Sequence, residues 1–216
     1  MDAITTGDNN TALGFAAGGA LNTGTHNTVL GANAGLSITE AIRNTLVGSA
    51  AGDAITTGNY NTALGYGALS TSIDGDNNTA IGNLALSAYE GLSTEGHNTA
   101  VGNSSQLNAS TGEFNTSLGS LSMGVGVTTG DNNVAIGYQA GTSITTGAQN
   151  TLIGGQAGQS LTTGEKNVAI GKAALSSEDT GDRNVAIGNG ALQTLNYDGS
   201  GYNVAVGYDA GVAMTT

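Results

Sequence analysis

A five-residue motif, Asn-[Thr/Val]-x-[Leu/Ile/Val]-Gly, recurs twelve times in this chain and constrains its fold more than any other feature. Neighbouring copies lie 17 residues apart, except for three intervals of 20, 18 and 19 residues. A fixed repeat is typical of proteins whose successive units bury their apolar sides against each other. Residues 1–216 are therefore predicted to form one repeat domain. Its units are anchored at Asn10, Asn27, Asn44, Asn61, Asn78, Asn98, Asn115, Asn133, Asn150, Asn167, Asn184 and Asn203.

Each column of the repeat, counted from the motif asparagine as position 0, has a narrow composition. Position +4 is always Gly, +1 is Thr or Val, +3 is Leu, Ile or Val, and +2 and +7 are mostly Ala. The β-branched residues favour a short strand, and Gly and Asn favour tight corners beside it. A repeat of 17 residues holds two short strands and two turns but no helix. The prediction is an all-β parallel β-solenoid or β-roll of twelve coils, about 55 Å long.

The composition excludes several classes of protein. The chain has 4 Lys and Arg against 16 Asp and Glu, so it cannot neutralise a nucleic-acid backbone. It has no Cys, and therefore neither a disulfide framework nor a thiolate metal site. No run of 18 apolar residues exists, so no membrane insertion is expected. No cofactor is expected either.

One short coil buries little apolar surface relative to the conformational entropy lost when it becomes ordered. We therefore expect a second buried face, formed by association of several chains. The alanine columns at +2 and +7 allow backbones to approach closely, and we expect them to face a symmetry axis. The alternative is that alanine simply fits a thin roll.

Some copies of the repeat resemble sequences of known surface proteins. Asn133–Gly137, Asn167–Gly171 and Asn184–Gly188 read Asn-Val-Ala-Ile-Gly, which resembles the head repeat of trimeric autotransporter adhesins. Thr57–Leu69 resembles a longer repeat found in phage tail fibres. The resemblance implies a left-handed parallel β-roll, assembled as an intertwined homotrimer and displayed on a bacterial or virion surface for attachment.

The chain departs from the adhesin pattern in two respects. Its period is longer than that of the adhesin heads, so its turns must differ. It also shows no signal peptide, stalk or membrane anchor, which favours the phage-fibre branch or a segment of a longer chain. The expected location is a virion tail or the cell surface.

Aromatic residues provide the candidate receptor contacts. Seven of the nine lie at positions −1 and +5, beside the turns, and the other two lie in the longest insertions, 87–95 and 193–200. An exposed ring can stack on a sugar or insert into a partner surface. The alternative is that neighbouring rings cover one another along the stack. The candidates are Tyr60, Tyr66, Tyr89, Phe114, Tyr138, Tyr197, Tyr202 and Tyr208, with Tyr60 and Tyr66, and Tyr202 and Tyr208, treated as pairs.

Metal binding and catalysis have weaker support. Aspartates recur at position −2, which invites a calcium site, but a turn in which Asp bonds the backbone explains them more simply. The two histidines, His26 and His97, lie too many coils apart to share a site. The acidic cluster of Glu178, Asp179 and Asp182 is interpreted as a solvated turn. No metal site and no enzymatic activity are predicted.

These observations predict a rigid, non-enzymatic trimer that spaces or presents contacts with a host glycan. The alternative is a structural filament whose subunits stack head to tail. Thr-Thr pairs at +12 and +13 also suggest an ice-binding face. Ice binding is disfavoured because Val replaces Thr at position +1 in four coils, which we interpret as an inward-facing column.

Overall fold

The computed structural model describes residues 5–90 and 96–215. In these residues every copy of the motif forms one three-residue strand, and no helix is present that could cross a membrane. The strands are β1 Thr11–Leu13, β2 Thr28–Leu30, β3 Thr45–Val47, β4 Thr62–Leu64, β5 Thr79–Ile81, β6 Thr99–Val101, β7 Thr116–Leu118, β8 Val134–Ile136, β9 Thr151–Ile153, β10 Val168–Ile170, β11 Val185–Ile187 and β12 Val204–Val206. They form one parallel sheet in sequence order, which confirms the predicted β-solenoid. In the described residues each coil has one strand rather than the two expected, and turns form the rest of the coil.

The register of the sheet is constant along the chain. Position +1 pairs with position +1 of the next coil at every step, for example Thr11 with Thr28. It is unchanged across the longest interval, where Thr79 pairs with Thr99. The extra residues of the longer repeats are therefore accommodated outside the strands.

The middle residue of each strand faces the core, and the first and last residues face outward. Leu46, Ala63 and Leu152, all at position +2, are fully buried. In contrast, Leu118 at position +3 is 48% exposed. We call the outward surface formed by the first and last residues of β1–β12 the strand face. The interpretation of position +1 as an inward-facing column is therefore wrong.

The alanine columns also lie elsewhere than expected. Ala34 and Ala51 at position +7 are fully buried within the single chain, together with the alanines at position +2. The expectation that these columns face a symmetry axis is wrong. A coil this narrow leaves room between its strand and its return segment for small side chains, so alanine fills the interior of the roll.

Positions +8 and +11 hold most of the larger core residues. In five coils position +8 is Gly and a Leu or Ile at +11 fills the space: a Cβ added to Gly35 would lie 2.7 Å from Ile38 Cδ1. Where position +8 is Leu, position +11 varies: it is small at Ser72, but Leu86 and Tyr89 are both buried in the following coil. Small and large side chains thus compensate for each other within some coils and between neighbouring coils in others, as dense packing requires.

The core is interrupted by polar residues in coils six and seven. The Oγ atoms of Ser105 and Ser117 lie 2.5 Å apart, and Gln106 Nε2 donates to Ser117 Oγ at 3.0 Å. Ser122 Oγ donates to the Ala135 carbonyl at 2.8 Å. These bonds satisfy hydroxyl groups that would otherwise be costly to bury.

The motif asparagines form a buried ladder along the roll. Asn150 Nδ2 donates to Asn133 Oδ1 at 3.0 Å and to the Gly164 carbonyl at 2.9 Å. Its Oδ1 accepts the backbone N–H of Asn167 at 2.9 Å. Asn150 thus joins three consecutive coils. The side-chain oxygen of every motif asparagine from Asn10 to Asn184 accepts the backbone N–H of the next one, which explains why asparagine stands at position 0 in every copy.

The motif glycines hold the corner that follows each strand. All twelve have φ between +131° and +142°, a region that side-chain-bearing residues avoid. A Cβ added to Gly171 would lie 2.3 Å from the Gly188 carbonyl oxygen. Both the backbone conformation and the closeness of the next coil therefore require glycine.

Candidate functional site

The residues at position −1 form an exposed row along the roll, which we call the turn row. Each stands between the last turn of a coil and the buried asparagine ladder, with φ between +49° and +61°. All twelve are exposed. The row comprises Asn9, His26, Arg43, Tyr60, Asn77, His97, Phe114, Asn132, Gln149, Lys166, Arg183 and Tyr202.

Neighbouring side chains of the turn row stack on one another. The His97 and Phe114 rings lie 5.1 Å apart between centroids with an interplanar angle of 8°. The Arg43 guanidinium lies over the Tyr60 ring at 5.4 Å, and its Nη1 donates to the Tyr60 hydroxyl at 2.7 Å. The expectation that neighbours cover one another along the stack is correct for these pairs. Each of these rings has a face covered by its neighbour, so a ligand meets mainly the ring edges and polar tips.

A second row of aromatic residues lies at position +5, after the motif glycine. Tyr66, Tyr138 and Tyr208 are all exposed there. Tyr60 and Tyr66 stand at opposite ends of β4, and Tyr202 and Tyr208 at opposite ends of β12. The proposed pairs therefore flank the strand face from its two edges, and no contact joins their members.

The expectation that Tyr89 is exposed is wrong. Its side chain is fully buried at position +11 of the fifth coil, where it belongs to the hydrophobic core. The same position holds Ser72 in the coil before and Ala109 in the coil after, and Tyr89 compensates for these small neighbours. Burial raises the pKa of Tyr89 above its usual value, and the carboxylates of Glu113, Asp74 and Asp131 add to the shift.

We expect Tyr89→Leu to lower the free energy of unfolding by about 2 kcal/mol, because the leucine leaves a cavity that Ser72 and Ala109 cannot fill. Urea denaturation followed by circular dichroism measures the change. The control is Tyr138→Leu on the exposed row, which should alter stability by less than about 0.5 kcal/mol. Equal effects of the two substitutions would contradict the buried position of Tyr89.

The last insertion places a half-exposed tyrosine beside a shallow depression. Tyr197, Ser200, Gly201 and Asn203 line this space, which has a volume of about 210 Å³. Residues 91–95, which belong to the other long insertion, lie outside the described residues. The expectation of a surface loop at 87–95 is therefore untested for those five positions.

The acidic residues at position −2 have a structural role. Asp131 Oδ1 accepts the backbone N–H of Glu113 at 2.8 Å, and Asp182 Oδ1 accepts that of Glu165 at 2.8 Å. The carboxylate therefore bonds the preceding coil rather than its own turn. Within residues 5–90 and 96–215, no three metal-binding side chains form a group.

The cluster of Glu178, Asp179 and Asp182 is not a solvated turn. Glu178 is fully buried, and its Oε1 accepts the backbone N–H groups of Gly181 at 2.7 Å and Asp179 at 3.2 Å. Its Oε2 accepts the N–H of Tyr197 at 3.1 Å, which anchors the last insertion. Sequence reasoning missed this role because Glu178 occupies position +11, a core position that is apolar in most other coils.

The threonine rows differ in what their hydroxyl groups contact. At position +12, Thr145 Oγ1 donates to the Thr162 carbonyl at 3.1 Å, and Thr162 Oγ1 donates to the Asp179 carbonyl at 2.9 Å. These hydroxyls link coils. The eight threonines at position +1, from Thr11 to Thr151, lie on the outward strand face instead.

Comparison of the chain with protein-family models, with curated proteins and with solved structures finds no match. The functional argument therefore depends on the repeat, the strand face and the two exposed rows.

Proposed function

We propose that the protein is a non-enzymatic attachment or spacer module of a phage tail fibre or similar surface appendage. In this proposal three chains associate into a rigid β-roll rod that presents contacts with a host glycan. The proposal draws on the repeat's resemblance to fibre and adhesin sequences, and on a parallel sheet whose order is unbroken from β1 to β12.

The observation that carries the proposal is the apolar strand face. A Leu, Ile or Val at position +3 points outward from every strand, next to a Thr or Val at position +1. The face is about 55 Å long and about 10 Å wide by the spacings of a parallel sheet. The row at position +3 is apolar along its whole length, and an exposed apolar row of that length marks an interaction surface. A face repeated along the whole sheet suits a threefold axis parallel to the roll.

The exposed rows supply the contact surface in this proposal. They lie at the two ends of the strands, beside the strand face rather than on it. Association through the strand face would therefore leave their outer edges accessible. Tyr60, Tyr66, Phe114, Tyr138, Tyr202 and Tyr208 remain the candidate receptor contacts, together with Tyr197 at the depression.

Light scattering on a sizing column tests the association. We expect a mass near three times 21.0 kDa. The double variant Ile136→Lys and Ile170→Lys places two charges on the strand face and should give folded monomers, because burying an unpaired charge is costly. The control is Val125→Lys, an exposed valine outside the strand face, which should leave the mass unchanged.

A folded 21.0 kDa monomer would contradict the trimer. A measurement of thermal hysteresis would then test ice binding, since the threonines at position +1 face outward. Concentration-dependent fibres would instead favour the head-to-tail filament.

A further inference from the structure

Arg43 stands out among the three Lys and Arg residues of the turn row. Lys166 Nζ lies 3.2 Å from Glu165 Oε2, and Arg183 Nη1 lies 3.7 Å from Asp182 Oδ2. In both cases the carboxylate belongs to position −2 of the same coil. In the third coil position −2 is Ile42, and Arg43 forms no ion pair within the described chain.

Arg43 and Arg183 make the same ring contact but differ in hydrogen bonding, since Arg183 Nη1 donates to Ser200 Oγ at 2.8 Å. Each guanidinium lies over the tyrosine ring of the next coil, Arg43 at 5.4 Å from the Tyr60 centroid and Arg183 at 5.7 Å from that of Tyr202. At Arg183 the protein's own Asp182 stands beside the cation. The structure thus contains this arginine–tyrosine arrangement once with a carboxylate and once without.

The Tyr60 hydroxyl adds a second donor at the same place. Its oxygen accepts the hydrogen bond from Arg43 Nη1 at 2.7 Å, so its own O–H can donate to a further acceptor. Arginine retains further N–H donors in a planar fork that matches a carboxylate. Both side chains are exposed, and Tyr60 is 47% accessible.

Arg43 has no acid at position −2 of its own coil or of either adjacent coil. These positions are Thr25, Ile42 and Asn59 in coils two, three and four, whereas six of the other coils carry an acid there. The acid of this column nearest to Tyr60 is Asp76 of coil five, whose Oδ1 accepts the backbone N–H of Asn59. His26 and Asn77 flank the pair in the turn row, each one coil away at about 4.8 Å spacing. Their side chains can bond hydroxyl groups of a ligand whose carboxylate is held by Arg43.

We propose that Arg43 and Tyr60 form a binding site for the carboxylate of an acidic sugar. The ligand class is a uronate or a sialic acid. This inference rests on the proposed glycan attachment and names the kind of glycan that this site takes. The guanidinium and the Tyr60 hydroxyl donate to the two carboxylate oxygens, while His26 and Asn77 contact the sugar hydroxyls.

Calorimetric titration of the full chain tests the site. The probes are tetragalacturonate, its neutral methyl ester, 3′-sialyllactose, lactose and tetraglutamate. We expect binding of a carboxylated sugar and loss of at least about tenfold in affinity with Arg43→Gln, because charge-assisted hydrogen bonds are the strong ones. Tyr60→Phe should weaken binding several-fold. Tetragalacturonate and sialyllactose distinguish the two sources of the carboxylate.

The most specific variant is Ile42→Asp, which places a carboxylate of the protein beside Arg43. It should lower the affinity for the acidic sugar by a factor similar to that of Arg43→Gln. Each substitution uses a residue that the same column already holds elsewhere: Gln149, Phe114 and Asp182. Unchanged thermal melting verifies that the variants fold. The matched control is Arg183→Gln, which should leave binding unchanged.

Any one of five results would overturn the site. The first is that acidic sugars bind the Arg43→Gln and Ile42→Asp variants as tightly as the unaltered chain. The second is that Arg183→Gln abolishes binding equally. The third is that only tetraglutamate binds, which would make the occupant an acidic peptide, and the fourth is that no acidic probe binds. Binding of lactose that is insensitive to Arg43→Gln would leave the attachment function standing while removing this inference.

Discussion

Gly171→Ala is expected to lower the free energy of unfolding by on the order of 4 kcal/mol. Two costs combine. The residue has φ +134°, which alanine adopts only with strain. The added Cβ would also lie 2.3 Å from the carbonyl oxygen and 2.5 Å from the carbonyl carbon of Gly188. Both atoms belong to the backbone of the next coil, so no side-chain rotation relieves the contact.

Guanidinium denaturation measures the change, and the control is Gly155→Ala at the neighbouring position +5. There the added Cβ has one contact, with the Tyr138 carbonyl oxygen at 3.9 Å, and φ is not in the left-handed region. Alanine should be neutral or stabilising by up to about 1 kcal/mol, through its effect on the unfolded chain. A small effect of Gly171→Ala would show that adjacent coils separate at this corner at little cost.

Asn150→Asp is expected to lower the free energy of unfolding by a similar amount at neutral pH, about 4 kcal/mol. An ionised carboxylate accepts hydrogen bonds but donates none. It would face Asn133 Oδ1 and the Gly164 carbonyl, which now accept bonds at 3.0 Å and 2.9 Å. Asn150→Ala should cost about 3 kcal/mol, because it leaves those two acceptors and the Asn167 N–H without this partner.

The pH dependence separates charge from lost hydrogen bonds. In the aspartate variant, proton uptake in the folded state removes the charge and restores one donor. The difference in free energy of unfolding between Asn150→Asp and Asn150→Ala should therefore shrink as the pH falls. Linkage requires this for a group that binds a proton more tightly in the folded state. Asn189→Ala on the exposed +5 row is the control, with an expected effect within about 0.5 kcal/mol. A constant difference between the two Asn150 variants across pH would contradict this explanation.

The strand positions and the pairing register could be predicted from the sequence because they are local and repeated. A strand of three residues between Asn and Gly recurs in every copy, and parallel stacking of identical units leaves one consistent register. The special roles of Asn150 and Gly171 belong to the same class, since asparagine and glycine each have a distinctive backbone chemistry. For these elements the repeat alone is sufficient to predict the structure.

Which side of each strand is buried could not be predicted in the same way. Alternation shows that positions +1 and +3 share a side but not which side is buried. Ordinary hydrophobicity favours burying Ile170 over Ala169, yet Ala169 is inside. Position +2 accepts a leucine only beside glycines, as at Leu152 between Gly141 and Gly158. This sharing of interior space is a property of the closed roll rather than of any segment.

The candidate site shows the same division. Sequence alone determined the solenoid, its period, the register, and the location of most aromatic residues at the turns. Only the tertiary structure decided that Tyr89 fills the core, that an apolar face points outward, and that Arg43 covers Tyr60 without a carboxylate beside it. These outcomes depend on contacts between residues about one repeat apart in the chain, where the coil spacing and the space left by neighbouring side chains decide which groups meet.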